Sequence, residues 1–307
     1  MSEIVLQTEG LTKYFKDKPA VNHMNLKIPK GCVCGFLGRN GAGKTTAIRM
    51  LMGLLRPTDG SCSVLGCDSQ FLSPQIRQRI GYVTEGHRLY KWMKIGELEK
   101  FQRAFFPDQW DAKLFNDMIE YFELTKKQKV KNLSNGQRAQ VSLALTLAPN
   151  PELLIMDDPT LGLDVAIRRQ FLEGVIHLIT RQNRTILFSS HILADVERVA
   201  DRIVVIDKGM LKADCTMEQF RSAIQKFVIT FDKQLPADVN VEGAICCRSD
   251  GSLMEITMVN ASEKIVSDWA KNAGATDCKL VQMTLEDQFI EFTAPAKKGK
   301  LFDWEYN

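Results

Sequence analysis

The sequence contains no run of about 18 or more apolar residues and no apolar segment behind a basic N-terminus, so neither a membrane-spanning helix nor a secretory leader is expected. None of its eight cysteines forms a Cys-x-x-Cys pair, which argues against a zinc site. Cys32, Cys34 and the adjacent Cys246-Cys247 read as reduced, small hydrophobes of a cytosolic protein, with a metal pair at Cys32 and Cys34 as the alternative. Net charge is also scarce: 40 Lys and Arg against 37 Asp and Glu leave +3. That balance gives no reason to expect a nucleic-acid partner, and Lys297, Lys298 and Lys300 read as a solvated tail. What remains is 307 residues, 45% hydrophobic and 25% charged, enough for a sizeable core and two domains.

The most informative feature is Gly38-Arg39-Asn40-Gly41-Ala42-Gly43-Lys44-Thr45-Thr46. It follows the apolar run Cys32 to Leu37, which reads as a buried strand, and it opens a segment from Thr45 to Met52 with apolar residues at helical spacing. Glycines let the backbone aim several N–H groups at phosphates, and the helix adds its positive end. In such a loop Lys44 reaches the β and γ phosphates, Thr45 offers its hydroxyl to Mg²⁺, and Thr46 sets a second hydroxyl beside it. A nucleoside triphosphate is the expected ligand.

A second dry run, Leu153-Leu154-Ile155-Met156, ends in Asp157-Asp158-Pro159. Buried strands rarely carry charge, so this end suggests chemistry: Asp157 near the Mg²⁺ shell and Asp158 facing the attacking water. The alternative is a pair of exposed turn acids before a proline. Between the two runs, Leu133-Ser134-Asn135-Gly136-Gln137 starts a segment with Val141, Leu143, Ala144 and Leu147 on one stripe. Ser134 and Gln137 fit a capping box, and alone this is only a well-capped helix. Further on come Leu161-Gly162-Leu163-Asp164 and a third strand, Ile186 to Ser190, that delivers His191.

In this order the five elements resemble the nucleotide-binding subunit of an ATP-binding cassette (ABC) transporter, over about residues 3 to 220. The resemblance implies an α/β fold, a P-loop NTPase core with an antiparallel β-subdomain and a helical subdomain, plus a small C-terminal α+β domain. It assigns Gly38 to Thr46 (Gly38, Asn40, Gly41, Ala42, Gly43, Lys44, Thr45 and Thr46 at the nucleotide) to Walker A, and Leu153 to Asp157 to Walker B. Ser134, Asn135, Gly136 and Gln137 match the signature, Asp164 the D-loop and His191 the switch histidine. Phe15 falls where the family stacks an aromatic on adenine, with Tyr14 as neighbour. Glu85, in Gly81-Tyr82-Val83-Thr84-Glu85, falls at the Q-loop, whose side chain touches Mg²⁺. The implied catalytic set is Asp158, His191, Lys44 and Glu85, the metal set Thr45, Asp157 and Glu85, and the cofactors ATP and Mg²⁺.

Three positions depart from the family pattern. Asp158 stands where Glu is usual, one methylene shorter, so the base would work slowly or through a second water. Asn135 replaces the first signature glycine and tolerates unusual φ better than most residues. Glu85 replaces Gln and keeps an oxygen ligand while adding charge.

The implied mechanism is a sandwich in which two chains, most simply a homodimer, clamp two ATP molecules and drive a separately encoded integral membrane permease. The helix starting at Ser134 would present its N–H groups to a γ-phosphate held by the other subunit. The chain would then sit in the cytoplasm, peripheral to the inner face of the membrane, as the ATPase of an exporter. The alternative is a non-transport ABC ATPase that acts as a regulatory switch.

Residues 1–223 are expected to form the ATPase domain. Strands are expected at 3–9, 24–28, 61–65 and Val204 to Ile206, and a helix from near Ser73. Residues 86 to about 150 should be mostly helical, with Phe101, Phe105, Phe106, Trp110, Phe115, Ile119 and Phe122 supplying apolar faces. Leu89, Tyr90, Trp92 and Met93 read either as core or as a docking patch for the membrane subunit. Residues 224–307 should form the accessory domain. Its expected parts are a strand Phe227 to Phe231, a hairpin Ala244 to Val259 around Ser249-Asp250-Gly251, a helix Ala261 to Ala273, a strand Lys279 to Met283 and a helix Leu285 to Phe292. Dimer bracing and regulation are both open roles for it.

Overall fold

A computed structural model describes residues 3–182, 184–233 and 241–293. The chain divides into two compact units, Met1–Asp214 and Cys215–Asn307. The basic cluster Lys297, Lys298 and Lys300 lies outside the described residues.

The first unit opens with two long strands, β1 (Ile4–Phe15) and β2 (Lys18–Pro29), paired antiparallel. Strand β3 (Val33–Leu37) then leads through the glycine loop into helix α1 (Lys44–Leu51). Next come β4 (Asp59–Val64), β5 (Cys67–Asp68), α2 (Pro74–Gln78) with Ser73 as its N-cap, and β6 (Ile80–Val83). Three helices follow: α3 (Ile95–Arg103), α4 (Ala112–Tyr121) and α5 (Asn135–Leu147). The unit continues through β7 (Leu153–Asp157), α6 (Val165–Gln182), β8 (Thr185–Ser190), α7 (Leu193–Val199) and β9 (Arg202–Asp207), and ends within β10 (Met210–Thr216).

One sheet runs β2-β1-β4-β5 and the other β10-β9-β3-β8-β7-β6. In the second sheet β9, β3, β8, β7 and β6 pair parallel. All residues of β3, β7 and β8 are buried, which is why those runs are apolar without alternation. Leu6, Leu11 and Met24 of the first sheet, Ile48 and Met50 of α1, and Phe36, Leu187 and Val204 of the second share one core. Each such side chain removed from water stabilises the fold by roughly 1.5–3 kcal/mol. The core holds the carboxyl ends of β3, β6, β7 and β8 in fixed register, and ligands of open α/β sheets bind at those ends.

The helical stretch differs from expectation in two ways. Glu85 to Lys94 is irregular, and helix resumes only at Ile95. Phe115, Ile119 and Phe122 are buried as expected, whereas Phe101 and Phe105 are 40% and 55% exposed. Met93 is buried, but Tyr90 and Trp92 are exposed, and edge-to-face contacts link Tyr90 to Phe101 and Phe101 to Phe105.

The second unit contains α8 (Met217–Ala223), β11 (Ile224–Phe231), β12 (Ala244–Asp250), β13 (Leu253–Val259), α9 (Glu263–Asn272), β14 (Ala275–Val281) and α10 (Leu285–Thr293). Its sheet runs β12-β13-β11-β14, antiparallel throughout. Phe227, Ile229, Met254 and Ile256 pack with Val266 and Ala270 of α9. The unit begins earlier than residue 224 because α8 belongs to it. Phe220 meets Phe292 edge-on at 5.6 Å, and Gln288 Nε2 donates to the carbonyls of Arg221 and Ile224 at 2.8 and 2.9 Å. The hairpin turns at Gly251-Ser252, between the paired Asp250 and Leu253, with Gly251 at φ +60. β14 starts at Ala275 rather than Lys279, because Gly274, at φ +83, ends the α9 turn at once and lets Ala275 pair with Phe231.

Candidate nucleotide site

The loop after β3 is shaped by its glycines. Gly43 has φ +110, and a Cβ there would stand 2.2 Å from the Ala20 carbonyl oxygen, so the loop passes β2 too closely for any side chain. Gly43 is also the N-cap of α1, and no side chain caps that helix. Its first N–H groups therefore face the cleft, where an anion would satisfy them. The cleft, of about 320 Å³, is lined by Asn40 to Thr46 together with Ala20, Glu85, Asp158 and Leu161. Gly38 sits behind the loop, where its carbonyl accepts from Lys44 Nζ at 2.8 Å.

The acids arrive from β7. Asp157 Oδ1 accepts from Thr45 Oγ1 at 3.0 Å and from Ser189 Oγ at 3.1 Å. Burial pushes the Asp157 carboxyl above its ordinary range; the two hydroxyl hydrogen bonds oppose that shift, and the Asp158 and Glu85 charges add to it. Asp158 is buried and has φ +43, a left-handed conformation that turns its side chain back over the loop. Its Oδ2 lies 3.6 Å from Lys44 Nζ. Its Oδ1 accepts from the backbone N of His191 at 3.1 Å and from the ring Nδ1 of His191 at 2.9 Å. A carboxylate only accepts, so the imidazole proton sits on Nδ1.

Lys44, Thr45, Asp157, Asp158 and His191 thus meet in space, with Glu85 at the rim. Hydroxyl and carboxylate oxygens at Thr45, Asp157 and Glu85 are hard donors that suit Mg²⁺. Among the described residues no three of His, Cys, Asp and Glu converge as a metal cage. Mg²⁺ needs none, because it takes one or two protein oxygens and fills its shell from phosphates and water.

The remaining expected residues lie elsewhere. Phe15 is 52% exposed at the end of β1, with the Lys13 ammonium 5.7 Å from its ring, and it does not line the cleft. Ser134 and Gln137 make the reciprocal capping box of α5, with hydrogen bonds of 3.1 and 3.0 Å. Asn135 accepts from Arg138, and Gly136 lets α5 approach α6, since a Cβ there would come within 2.7 Å of Ile167. Asp164 accepts from the Ile167 N–H at 2.9 Å and starts α6. Neither the capped helix nor Asp164 faces the cleft of the same chain.

Three contributors escaped the sequence reading. Ser189 Oγ donates to Asp157 and accepts from the Asp158 N–H at 2.9 Å, so one hydroxyl ties both acids. Thr160 Oγ1 donates to the buried Asp195 at 2.7 Å, and burial raises the Asp195 carboxyl. His87, also buried, meets the Pro159 carbonyl at 2.8 Å through Nε2, and burial pushes its imidazole below the ordinary value. A polar residue inside an apolar strand was the only sequence signal, and it marked Ser189 alone.

Comparison with known proteins agrees with this geometry. Residues 21–161 match the family model described as ABC transporter. The chain is 29% identical over 298 residues to the uncharacterized ABC transporter ATP-binding protein YdbJ of Bacillus subtilis, covering 95% of this chain and 96% of that one. It is 32% identical over 226 residues to the bacitracin transport ATP-binding protein BcrA of Bacillus licheniformis, covering 73% and 74%. A solved structure of the ATP-binding subunit of an ABC transporter superposes with a TM-score of 0.65 at 25% identity, over 71% of this chain and 92% of that one.

Proposed function

Because the chain belongs to the ABC transporter ATP-binding family and hydrolyses ATP, we propose that it works as an ATP-driven homodimer that powers a separately encoded membrane permease, in the direction of export. The observation that carries the proposal is the split of the machinery. Lys44, Thr45, Asp157, Asp158 and His191 meet at one cleft, while the other expected half of the site, the capped start of α5, does not line it. A second copy would bring its Ser134-to-Gln137 helix start to the γ-phosphate, where the helix dipole favours the charge.

In this reading Thr45, Asp157 and Glu85 hold Mg²⁺, which neutralises phosphate charge when bound. Lys44 anchors the γ-phosphate. Asp158 accepts the proton of the attacking water, and His191 holds Asp158 in place through Nδ1–H. Lys44 lies 3.6 Å from Asp158, so a carboxylate at that spot comes within one water of a phosphate on Lys44, which compensates for the missing methylene. Among the described residues no helix is long and apolar enough to cross a membrane, and the permease would hold the dimer at the cytoplasmic face. Similarity to a bacitracin transport protein supports export. The exposed Tyr90, Trp92, Phe101 and Phe105 are the proposed docking surface.

The test is steady-state ATP hydrolysis by the purified chain, alone and with its permease in lipid vesicles, for the parent and Asp158→Asn. Stimulation by the permease that disappears in the variant supports the coupled motor. ATP-driven dimerisation with a hydrolysis rate that no permease raises overturns it in favour of a regulatory switch.

A further inference from the structure

We propose that His87 is a positioning residue for ATP hydrolysis: its Nε2–H holds the Pro159 carbonyl and thereby fixes the turn that presents Asp157 and Asp158. The pairing of β6 with β7 ends at Val83 and Met156, and beyond it the two chains separate. His87 bridges them again. It is 4% exposed, and its Nε2 lies 2.8 Å from the Pro159 oxygen. A carbonyl only accepts, so Nε2 carries the proton and Nδ1 is the bare nitrogen. That Nδ1 is buried with no hydrogen-bond partner among the described residues.

Burying an unpaired ring nitrogen costs free energy, and the backbone at His87 is left-handed, with φ +43. Both costs are tolerated at a position whose side chain makes one polar contact, to the residue after Asp158. Unfavourable geometry of this kind collects where function demands it. The ring also packs 6.3 Å from Phe171 of α6, which keeps Nε2 aimed. Asp158 is then held from two sides: by Ser189 of β8 and His191 just after it, and by His87 from the loop after β6. That loop carries Glu85 at the cleft and runs on to the exposed Tyr90 and Trp92. A displacement of its outer part therefore reaches the acid turn through one hydrogen bond.

The inference rests on the reading that this turn carries the reacting acid, and the experiment separates the two. Steady-state ATP hydrolysis by the full chain, with nucleotide affinity measured in parallel, compares His87→Phe, His87→Gln, His87→Asn and Asp158→Asn. Phe keeps the ring and removes the donor. Gln places an amide nitrogen near Nε2, whereas Asn tolerates the left-handed backbone but places its nitrogen near Nδ1. The expected result is a kcat about ten-fold lower for His87→Phe and His87→Asn, the rate equivalent of one hydrogen bond, with KM for ATP unchanged and most of the loss restored in His87→Gln. Equal losses in His87→Phe and His87→Gln, or a change in KM without one in kcat, overturn the strut. If Asp158→Asn is inactive and His87→Phe matches the parent, the strut alone fails. If Asp158→Asn retains parental turnover while His87→Phe is slowed and His87→Gln is not, the base assignment fails and the strut stands.

Discussion

Ser189→Ala is the substitution whose cost the structure specifies best. Ser189 is fully buried, and its hydroxyl makes two hydrogen bonds. Removing it leaves the Asp158 N–H without its acceptor, at a cost of about 1–3 kcal/mol for a buried unsatisfied donor. It also removes a donor to the Asp157 carboxylate, and bonds to charged groups contribute about 1.5–3 kcal/mol. The two losses overlap, because a shifted turn can recover part of each, so about 3 kcal/mol is expected. For a unit of this size about 2–4 °C of melting temperature is lost per kcal/mol, which gives roughly 6–12 °C. The assay is thermal unfolding of the purified chain without nucleotide, followed by ATP hydrolysis as a function of Mg²⁺. Because the Ser189 hydrogen bond opposes the burial that raises the Asp157 carboxyl, its loss should raise that carboxyl further and increase the Mg²⁺ needed for half-maximal turnover. A melting temperature within about 1 °C of the parent, with the same Mg²⁺ dependence, would refute the claim that one hydroxyl organises both acids.

Lys44→Ala removes the cation that stands between the Gly38 carbonyl and Asp158, and should abolish ATP-dependent dimerisation; size-exclusion chromatography with and without ATP checks it, and dimerisation equal to the parent's removes the phosphate-loop assignment. For Asp195, burial raises the folded-state carboxyl above its ordinary 3.8. The folded state then holds that proton more tightly than the unfolded chain, so the group's contribution is complete below 3.8 and is lost as pH rises through the raised value. The melting temperature of the parent relative to Asp195→Asn should therefore be highest near the acid end of the accessible range and decline toward neutrality. A difference independent of pH would place the Asp195 carboxyl in an environment like water.

The parts of the site legible in the sequence are those whose chemistry is confined to adjacent residues. Gly43 must be glycine because of its own φ and one nearby carbonyl, and an apolar run ending in Asp157 declares its burial locally. The capping box at Ser134 is likewise a four-residue event. What stayed hidden depends on pairing between strands far apart in the chain. Ser189 meets Asp157 only because β7 and β8 are neighbours in register, and His87 meets Pro159 only because the loops after β6 and β7 fold back together. The accessory unit shows the same limit. Its strand and helix types follow from local pattern, but the start of β14 is set by Phe231 across the sheet, and the attachment of α8 by Gln288.

The short acid at position 158 also has a physical rationale that no motif supplies. Two demands meet there. The backbone must adopt φ +43 so that the N–H reaches Ser189 while the side chain turns toward Lys44 and His191. Asp is several-fold enriched in the left-handed region, because its short carboxylate can bond locally, and Glu is not. Here the carboxylate does so: one oxygen takes both donors of His191, and the other faces the Lys44 ammonium. A side chain longer by one methylene would have to bend back on itself or withdraw the turn from β8 to keep its carboxylate at this point. Reach toward the nucleotide and tolerance of the strained backbone are therefore set against each other at one residue. In the proposed mechanism aspartate resolves the conflict in favour of the turn, and the close approach of Lys44 recovers the reach.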